Sequence, residues 1–170
     1  MRYFNGFFLK NEEIFFQDYI IDSDYCVAGF SYGAQRAFEF VYNSPNRVDR
    51  LILLSPAFFQ DHKKSFIRTQ LRYYKSNSQA YIEEFIKNVI YPSNIELEGY
   101  LEMGKYKDLE ALLLYYWDTQ KILEVIDRGV TIEVFIGGKD KIVNPQKSFE
   151  FFSKLTTTYL IKDAGHLLLS

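Results

Sequence analysis

The sequence predicts an α/β fold: about five short strands in a mostly parallel sheet, helices between them, and a long helical insertion. Three observations lead there. Five runs have the β-branched and aromatic density of buried strands, one strand–helix–strand unit is legible from end to end, and residues 59–128 hold no comparable strand run. At 170 residues, 48% hydrophobic and 25% charged, the chain has the balance of one globular domain that buries its own core.

The first run, "RYF" at Arg2–Phe4, leads into Asn5-Gly6-Phe7 and then leaves room for about one helix. The second, "YCVAG" (25–29), runs into "SYGAQRAFEFVYNSPNR", where Ala34, Ala37, Phe38, Val41 and Tyr42 recur at helical spacing until Asn43, Ser44 and Pro45 end it. "RLILLS" (50–55) is the third strand. Parallel neighbours need a crossover of about a dozen residues or more, and this helix supplies it. Apolar runs without alternation suit a sheet covered on both faces. Residues 59–128 carry helical spacing broken by "YPSN" (91–94), Gly99 and Gly104, which predicts a cap inserted between the third and fourth strands, over their C-terminal ends. "TIEVFIG" (131–137) and "TYLIK" (158–162) complete the sheet. Residues 1–170 thus read as one domain with 59–128 as its helical cap.

A net charge of −2 excludes a globally basic nucleic-acid binder. Cys26 is the single cysteine, so no internal disulfide forms, and a reducing compartment, the cytoplasm, is expected. The N-terminus turns polar too soon for a signal peptide, and no segment reaches the length of a membrane span. Two separated histidines and one cysteine offer no metal-ligand spacing, so neither a metal nor another cofactor is expected. The 18% aromatic content fits an aromatic-rich core or an apolar pocket for a carbon chain.

Gly29-Phe30-Ser31-Tyr32-Gly33 matches G-x-S-x-G, with a strand ending on it and a helix starting from it. A tight turn there pushes a serine hydroxyl out of the sheet top, and side chains in place of the glycines would collide with strand and helix. The plain alternative is a helix N-cap serine in a glycine-rich turn. A serine hydroxyl needs a base to take its proton and an acid to orient that base. His166, in "KDAGHLLL" after the last strand, is placed to be the base; His62, in the charged stretch "FFQDHKKS", is its rival. Asp140, in "VFIGGKDKIVNP" after the fourth strand, is the acid candidate, with Asp163 and Asp118 as fallbacks outside the expected strand-end loop. The chain order Ser31, Asp140, His166, each after a separate strand, is that of the nucleophile-elbow hydrolases. Oxyanion donors would be the backbone N–H groups of Tyr32, after the nucleophile, and of Phe7 in the early loop.

With these residues assembled, the chain resembles the α/β-hydrolase superfamily over nearly its whole length, in a reduced form. Within it, "GFSYGA", "LILLSP", "FIRTQL", "IEVFIGGKDKI" and "KDAGHLL", in that order, resemble a short form of the pimeloyl-acyl carrier protein methyl ester esterases of biotin synthesis. The resemblance implies a serine carboxylesterase that frees the pimeloyl carboxylate while leaving the carrier thioester intact. It departs from the family at both ends: the opening strand corresponds to the third of the usual sheet, the usual first, second and fourth strands are missing, and little chain follows His166. An acidic acyl carrier protein is the implied partner, with no nucleic acid and no membrane. Lys64, Arg68, Arg72 and Lys75 at i, i+4, i+8 and i+11, with Lys63 adjacent, form a basic stripe suited to it, though such faces are common and often only solvated. Phe66, Ile67, Leu71 and Tyr74 lie on the other side of that helix, toward core or pocket. A thioesterase or general small-ester hydrolase with the same triad, and a catalytically silent binding protein, are the competing readings.

Overall fold

A computed structural model describes residues 1–170. Five strands, β1 (Arg2–Phe4), β2 (Cys26–Phe30), β3 (Arg50–Leu54), β4 (Thr131–Gly137) and β5 (Thr157–Ile161), form one sheet in the order β1-β2-β3-β4-β5. Every neighbouring pair is parallel, with Phe4 beside Gly29, Phe30 beside Leu54, Leu54 beside Phe135 and Gly137 beside Ile161. All the loops after the strands therefore leave along one edge. Where a mostly parallel sheet was expected, the sheet is wholly parallel.

Alternation along the strands divides the core in two. Val27, Leu51, Leu53, Ile132, Val134 and Ile136 face helices α1 (Tyr32–Asn43), α5 (Thr119–Asp127) and α6 (Pro145–Phe152), meeting Ala37, Phe38, Val41, Ile122, Val125 and Phe152. Ala28, Phe30, Ile52 and Leu54 face the other way. Phe16, Val89, Leu97, Leu167 and Leu168 cover that second side. Between β1 and β2 the expected helix is a single 3-10 turn, Glu12–Phe16, whose Phe16 is fully buried against Phe30 at 4.9 Å between ring centres.

The cap consists of α2 (Lys64–Ser76), α3 (Ser78–Ile90) and α4 (Tyr106–Leu114). Asn77 ends the first of these and caps the second, its side chain accepting the Ala80 N–H at 3.1 Å. A third apolar cluster, including Phe59, Tyr81, Leu109, Leu112 and Leu113, joins the cap to the sheet edge. Residues 115–128, included in the 59–128 cap by the sequence reading, belong instead to the sheet layer. Trp117 is fully buried against Phe38 and Phe152 and donates its indole N–H to the Ala57 carbonyl at 2.9 Å, while Ile122 and Val125 of α5 close over α1. Helical periodicity identifies an apolar stripe but not which core receives it. Gln35 ties the two parts together, its amide donating to the carbonyls of Ala57 (3.0 Å) and Leu112 (3.1 Å). No helix is long and apolar enough to cross a membrane.

Candidate active site

Ser31 sits at the β2–α1 corner with φ 54° and ψ −113°, a backbone state that L-residues seldom hold. The corner is held open by backbone bonds: its N–H donates to Leu54 (2.9 Å), and its carbonyl accepts from Ala34 and Ala57 (3.1 Å each). A Cβ on Gly33 would fall within the carbonyl oxygens of Phe4 and Asn5, so only glycine lets the end of β1 pass against the first turn of α1. The helix-capping alternative for Ser31 is not what is found. Its side chain makes no cap bond and reaches His166 instead.

His166, in the loop after β5, is fully buried beside Phe30. Its Nε2 lies 2.9 Å from Ser31 Oγ, and its Nδ1 lies 2.6 Å from Asp140 Oδ2. The other Asp140 oxygen accepts the N–H groups of Ile142 (2.7 Å) and Val143 (3.0 Å), which fixes the carboxylate in its turn. An ionised carboxylate only accepts, so Nδ1 carries the imidazole proton and Nε2 is left to accept from the serine hydroxyl. The loops after β4 and β5 are stitched together by Gly138 and Lys139 N–H groups donating to Ile161 and Ala164 (2.9 Å each). Three strand ends thus deliver one continuous hydrogen-bonded chain. It can move a proton off the serine and shelter the resulting imidazolium beside a fixed anion.

The remaining sequence candidates fall as follows. Asp163 is exposed and pairs with Lys139 (3.0 Å), and Asp118 caps α5 through Gln120 and Lys121, so both fallback acids act elsewhere. His62 does not reach Ser31's hydroxyl. It lines the same cavity, stacked on Phe66 with ring centres 4.1 Å apart and a 21° angle. Phe7 is buried in the loop after β1, and neither its N–H nor that of Tyr32 is taken by any hydrogen bond within the chain. Lys64, Arg68, Arg72 and Lys75 are all exposed on α2. Lys75 lies 4.4 Å over the Tyr106 ring, and none of the four is in an ion pair.

Ser31 opens into a cavity of about 460 Å³ between the cap and the sheet edge. Its apolar walls include Phe59, Phe66, Leu109, Leu112 and Val143; Gln70, Glu84, Asn88 and Lys141 add polar points. Its size and lining suit a small organic ligand. Tyr81, on the wall, has its hydroxyl pKa pushed up to about 12 by burial, so it stays a neutral donor, here to Gln70 at 3.1 Å. Of the apolar side of α2, Phe66 faces the cavity, whereas Ile67, Leu71 and Tyr74 pack into the cap core.

Sequence reasoning missed Glu12. In "LKNEEIF" it reads as one of two surface charges, yet it is fully buried with its Oε1 on the Gly6 N–H at 2.6 Å and on the Tyr3 hydroxyl at 3.2 Å. Burial holds its carboxyl above the usual glutamate range and drives the Tyr3 hydroxyl upward as well. Only the closeness of Gly6 in sequence hints at that contact.

No family model matches the sequence, and no curated protein matches it. The fold is nevertheless shared with solved α/β-hydrolases. Naproxen esterase from Bacillus subtilis superposes with a TM-score of 0.57 at 20% identity, over 84% of this chain and 53% of that one. A hydrolase from Oleispira antarctica gives 0.64 at 14% identity, over 92% and 63%. BioG from Haemophilus influenzae gives 0.62 at 12% identity, over 97% and 87%. The chain spans little more than half the length of the naproxen esterase. Its architecture is a reduced α/β-hydrolase fold.

Proposed function

We propose that this chain is a serine hydrolase of carboxylic esters that works through an acyl-enzyme. The observation that carries the reading is the hydrogen-bonded series Ser31, His166 and Asp140, at 2.9 and 2.6 Å, opening into a largely apolar cavity. His166 Nε2 takes the Ser31 proton as Oγ attacks the ester carbonyl. The tetrahedral oxyanion is met by the Phe7 and Tyr32 N–H groups. The imidazolium then returns the proton to the departing alkoxide, which leaves as the alcohol. Water, deprotonated by the same nitrogen, attacks the acyl-serine and releases the carboxylic acid with Ser31 restored. Asp140 holds the ring throughout.

The finer reading is that the substrate is the methyl ester of a pimeloyl chain carried by an acidic acyl carrier protein. Two features support it: the motif series of the sequence, and a helix α2 whose Phe66 and Gln70 line the cavity while Lys64, Arg68, Arg72 and Lys75 stand exposed on its outer side. Docking an anionic carrier on that stripe would present the acyl chain at the cavity mouth.

Turnover of a fluorogenic acetate ester that disappears in Ser31→Ala is the expected result. A folded wild-type protein with no turnover would favour a silent binder. Pimeloyl-carrier methyl ester is then compared with the same methyl ester lacking the carrier, at low and high salt. Arg68→Ala with Arg72→Ala should lower kcat/KM for the carrier-bound ester at low salt and leave the free ester alone. Equal kcat/KM with and without carrier removes the carrier from the reading and leaves a general small-ester hydrolase or a thioesterase, which thioester substrates separate.

A further inference from the structure

Two carboxylates in the chain are buried, Asp140 and Glu12. Asp140 has His166 beside it, whereas Glu12 has no cation at all; the titratable groups facing it are the Tyr3 hydroxyl and the neighbouring Glu13. Its Oε1 accepts from Gly6 and Tyr3, and its Oε2 is buried without a partner. Such a group costs stability, since an apolar residue of similar size would avoid the desolvation. What the cost secures is one backbone N–H.

That N–H belongs to Gly6, whose carbonyl accepts from Leu9 at 3.3 Å to close a turn with Phe8 at φ 62°. The i+2 place of such a turn ordinarily takes glycine, so the Asn5–Phe8 backbone needs an outside restraint. The Phe7 ring is pinned edge-on to Phe8 and Phe85, at 4.4 and 5.6 Å. The Phe7 N–H, one peptide beyond the one Glu12 holds, is free of bonds within the chain. At 2.6 Å the Gly6 N–H to Glu12 Oε1 contact is shorter than an ordinary N–H···O bond, close enough to set the tilt of the next peptide plane.

We propose that Glu12 is a positioning residue for the oxyanion: by holding the Gly6 N–H, its carboxylate fixes the turn so that the Phe7 N–H meets the charge developing beside Ser31. The inference rests on the hydrolase reading above. Its signature is a split between activity and stability. Because burial raises the Glu12 pKa, the unfolded chain loses that proton at lower pH than the folded one. Stability present below the ordinary glutamate value is therefore lost as pH rises through the folded value. Glu12→Gln escapes that loss while keeping one carbonyl acceptor without the charge. It should melt at or above the wild-type temperature at neutral pH, with the difference vanishing in acid, and yet turn over more slowly. A residue kept only for structure would not trade in that direction.

The test is kcat and KM on the fluorogenic acetate ester for wild type, Glu12→Gln, Glu12→Ala and Ser31→Ala, with melting temperatures between about pH 4 and about pH 8. Glu12→Gln is expected to lose about tenfold in kcat with KM unchanged, less than the outright loss of one oxyanion donor, and Glu12→Ala about a hundredfold, the lower end of the range for such a loss. Faster hydrogen exchange at the Phe7 amide should accompany both. Should the alanine variant fail to fold, the glutamine variant decides alone. An active wild type whose kcat is unmoved by Glu12→Gln, an effect confined to KM, or a glutamine variant that melts well below wild type overturns the Glu12 role only. An inactive wild type, or equal turnover in Ser31→Ala, overturns the hydrolase reading and this inference with it.

Discussion

Replacing Asp140 by asparagine changes one atom's chemistry without changing shape, and the surroundings dictate how the new amide must sit. Asp140 Oδ1 accepts from two backbone donors, Ile142 N–H at 2.7 Å and Val143 N–H at 3.0 Å. Turning the amide nitrogen toward them would set donors against donors in a buried site and orphan both N–H groups, at about 1–3 kcal/mol each. The amide oxygen therefore keeps that side, and its NH₂ faces His166 Nδ1 across the 2.6 Å contact. A donor there forces Nδ1 to become the acceptor, so the ring proton moves to Nε2, the nitrogen that has to accept from Ser31. The wrong tautomer is then the resting state. The same change in a serine protease lowers kcat by about 10⁴, equivalent to about 5.5 kcal/mol of lost transition-state stabilisation. The loss is expected in kcat for the fluorogenic ester, with the melting temperature close to wild type because the loop bonds survive. Labelling of Ser31 by a fluorophosphonate should slow in parallel. If Asp140→Asn retained activity within about tenfold while remaining folded, the orienting role of Asp140 would be wrong.

Gly33→Ala forces a methyl into the Phe4 and Asn5 carbonyls and should cost about 4 kcal/mol or more by urea unfolding, whereas Gly99→Ala, with nothing within 4 Å of the added carbon, should change little. Trp117→Ala empties a fully buried site and removes one of the two donors to the Ala57 carbonyl, leaving it the Gln35 amide, so a loss of about 3–5 kcal/mol, chiefly from the cavity, is expected if α5 belongs to the sheet layer. A loss below about 1 kcal/mol would return that segment to the cap. Phe66→Ala widens the cavity from a helix that has no fully buried residue, and should raise KM for medium-chain esters several-fold with little change in melting temperature.

Much of the frame is legible because buried parallel strands leave uninterrupted apolar text, and "RLILLS" or "TIEVFIG" has few other readings. The strand boundaries fall within a residue of those runs, and α1 ends where Ser44 and Pro45 require. Ser31, Asp140 and His166 were legible for a related reason: each follows a strand directly, so parallel topology alone carries them to one edge. Glu12 and His62 were not legible, because each lies in a segment with no periodic element to fix where it points. The fate of residues 115–128 was hidden for a different reason. Trp117, Ile122 and Val125 carry the same spacing whether they close a cap or cover a sheet, and only the distant partners Phe38, Ala57 and Phe152 distinguish the two.

Backbone strain in this molecule is concentrated at the same edge as the candidate site. Five residues other than glycine hold positive φ: Phe8, Asn11, Ser31, Ser55 and Leu168. Ser31 and Ser55 follow β2 and β3 directly, Phe8 lies in the loop after β1, and Leu168 is in the loop that carries His166. Asn11 opens the turn that carries Glu12. Each such residue costs of the order of 1–3 kcal/mol, and nothing in the packing of the sheet faces requires them. What they share is that each re-aims the chain near the sheet edge, where the hydroxyl, the imidazole and the carboxylate meet. Relaxing Ser31 to an ordinary helix N-cap would give its side chain a local backbone partner and draw it away from His166. The strain is tolerated because neighbours over-determine the geometry: Leu54, Ala34 and Ala57 hold Ser31 by its backbone alone, leaving its hydroxyl for the imidazole.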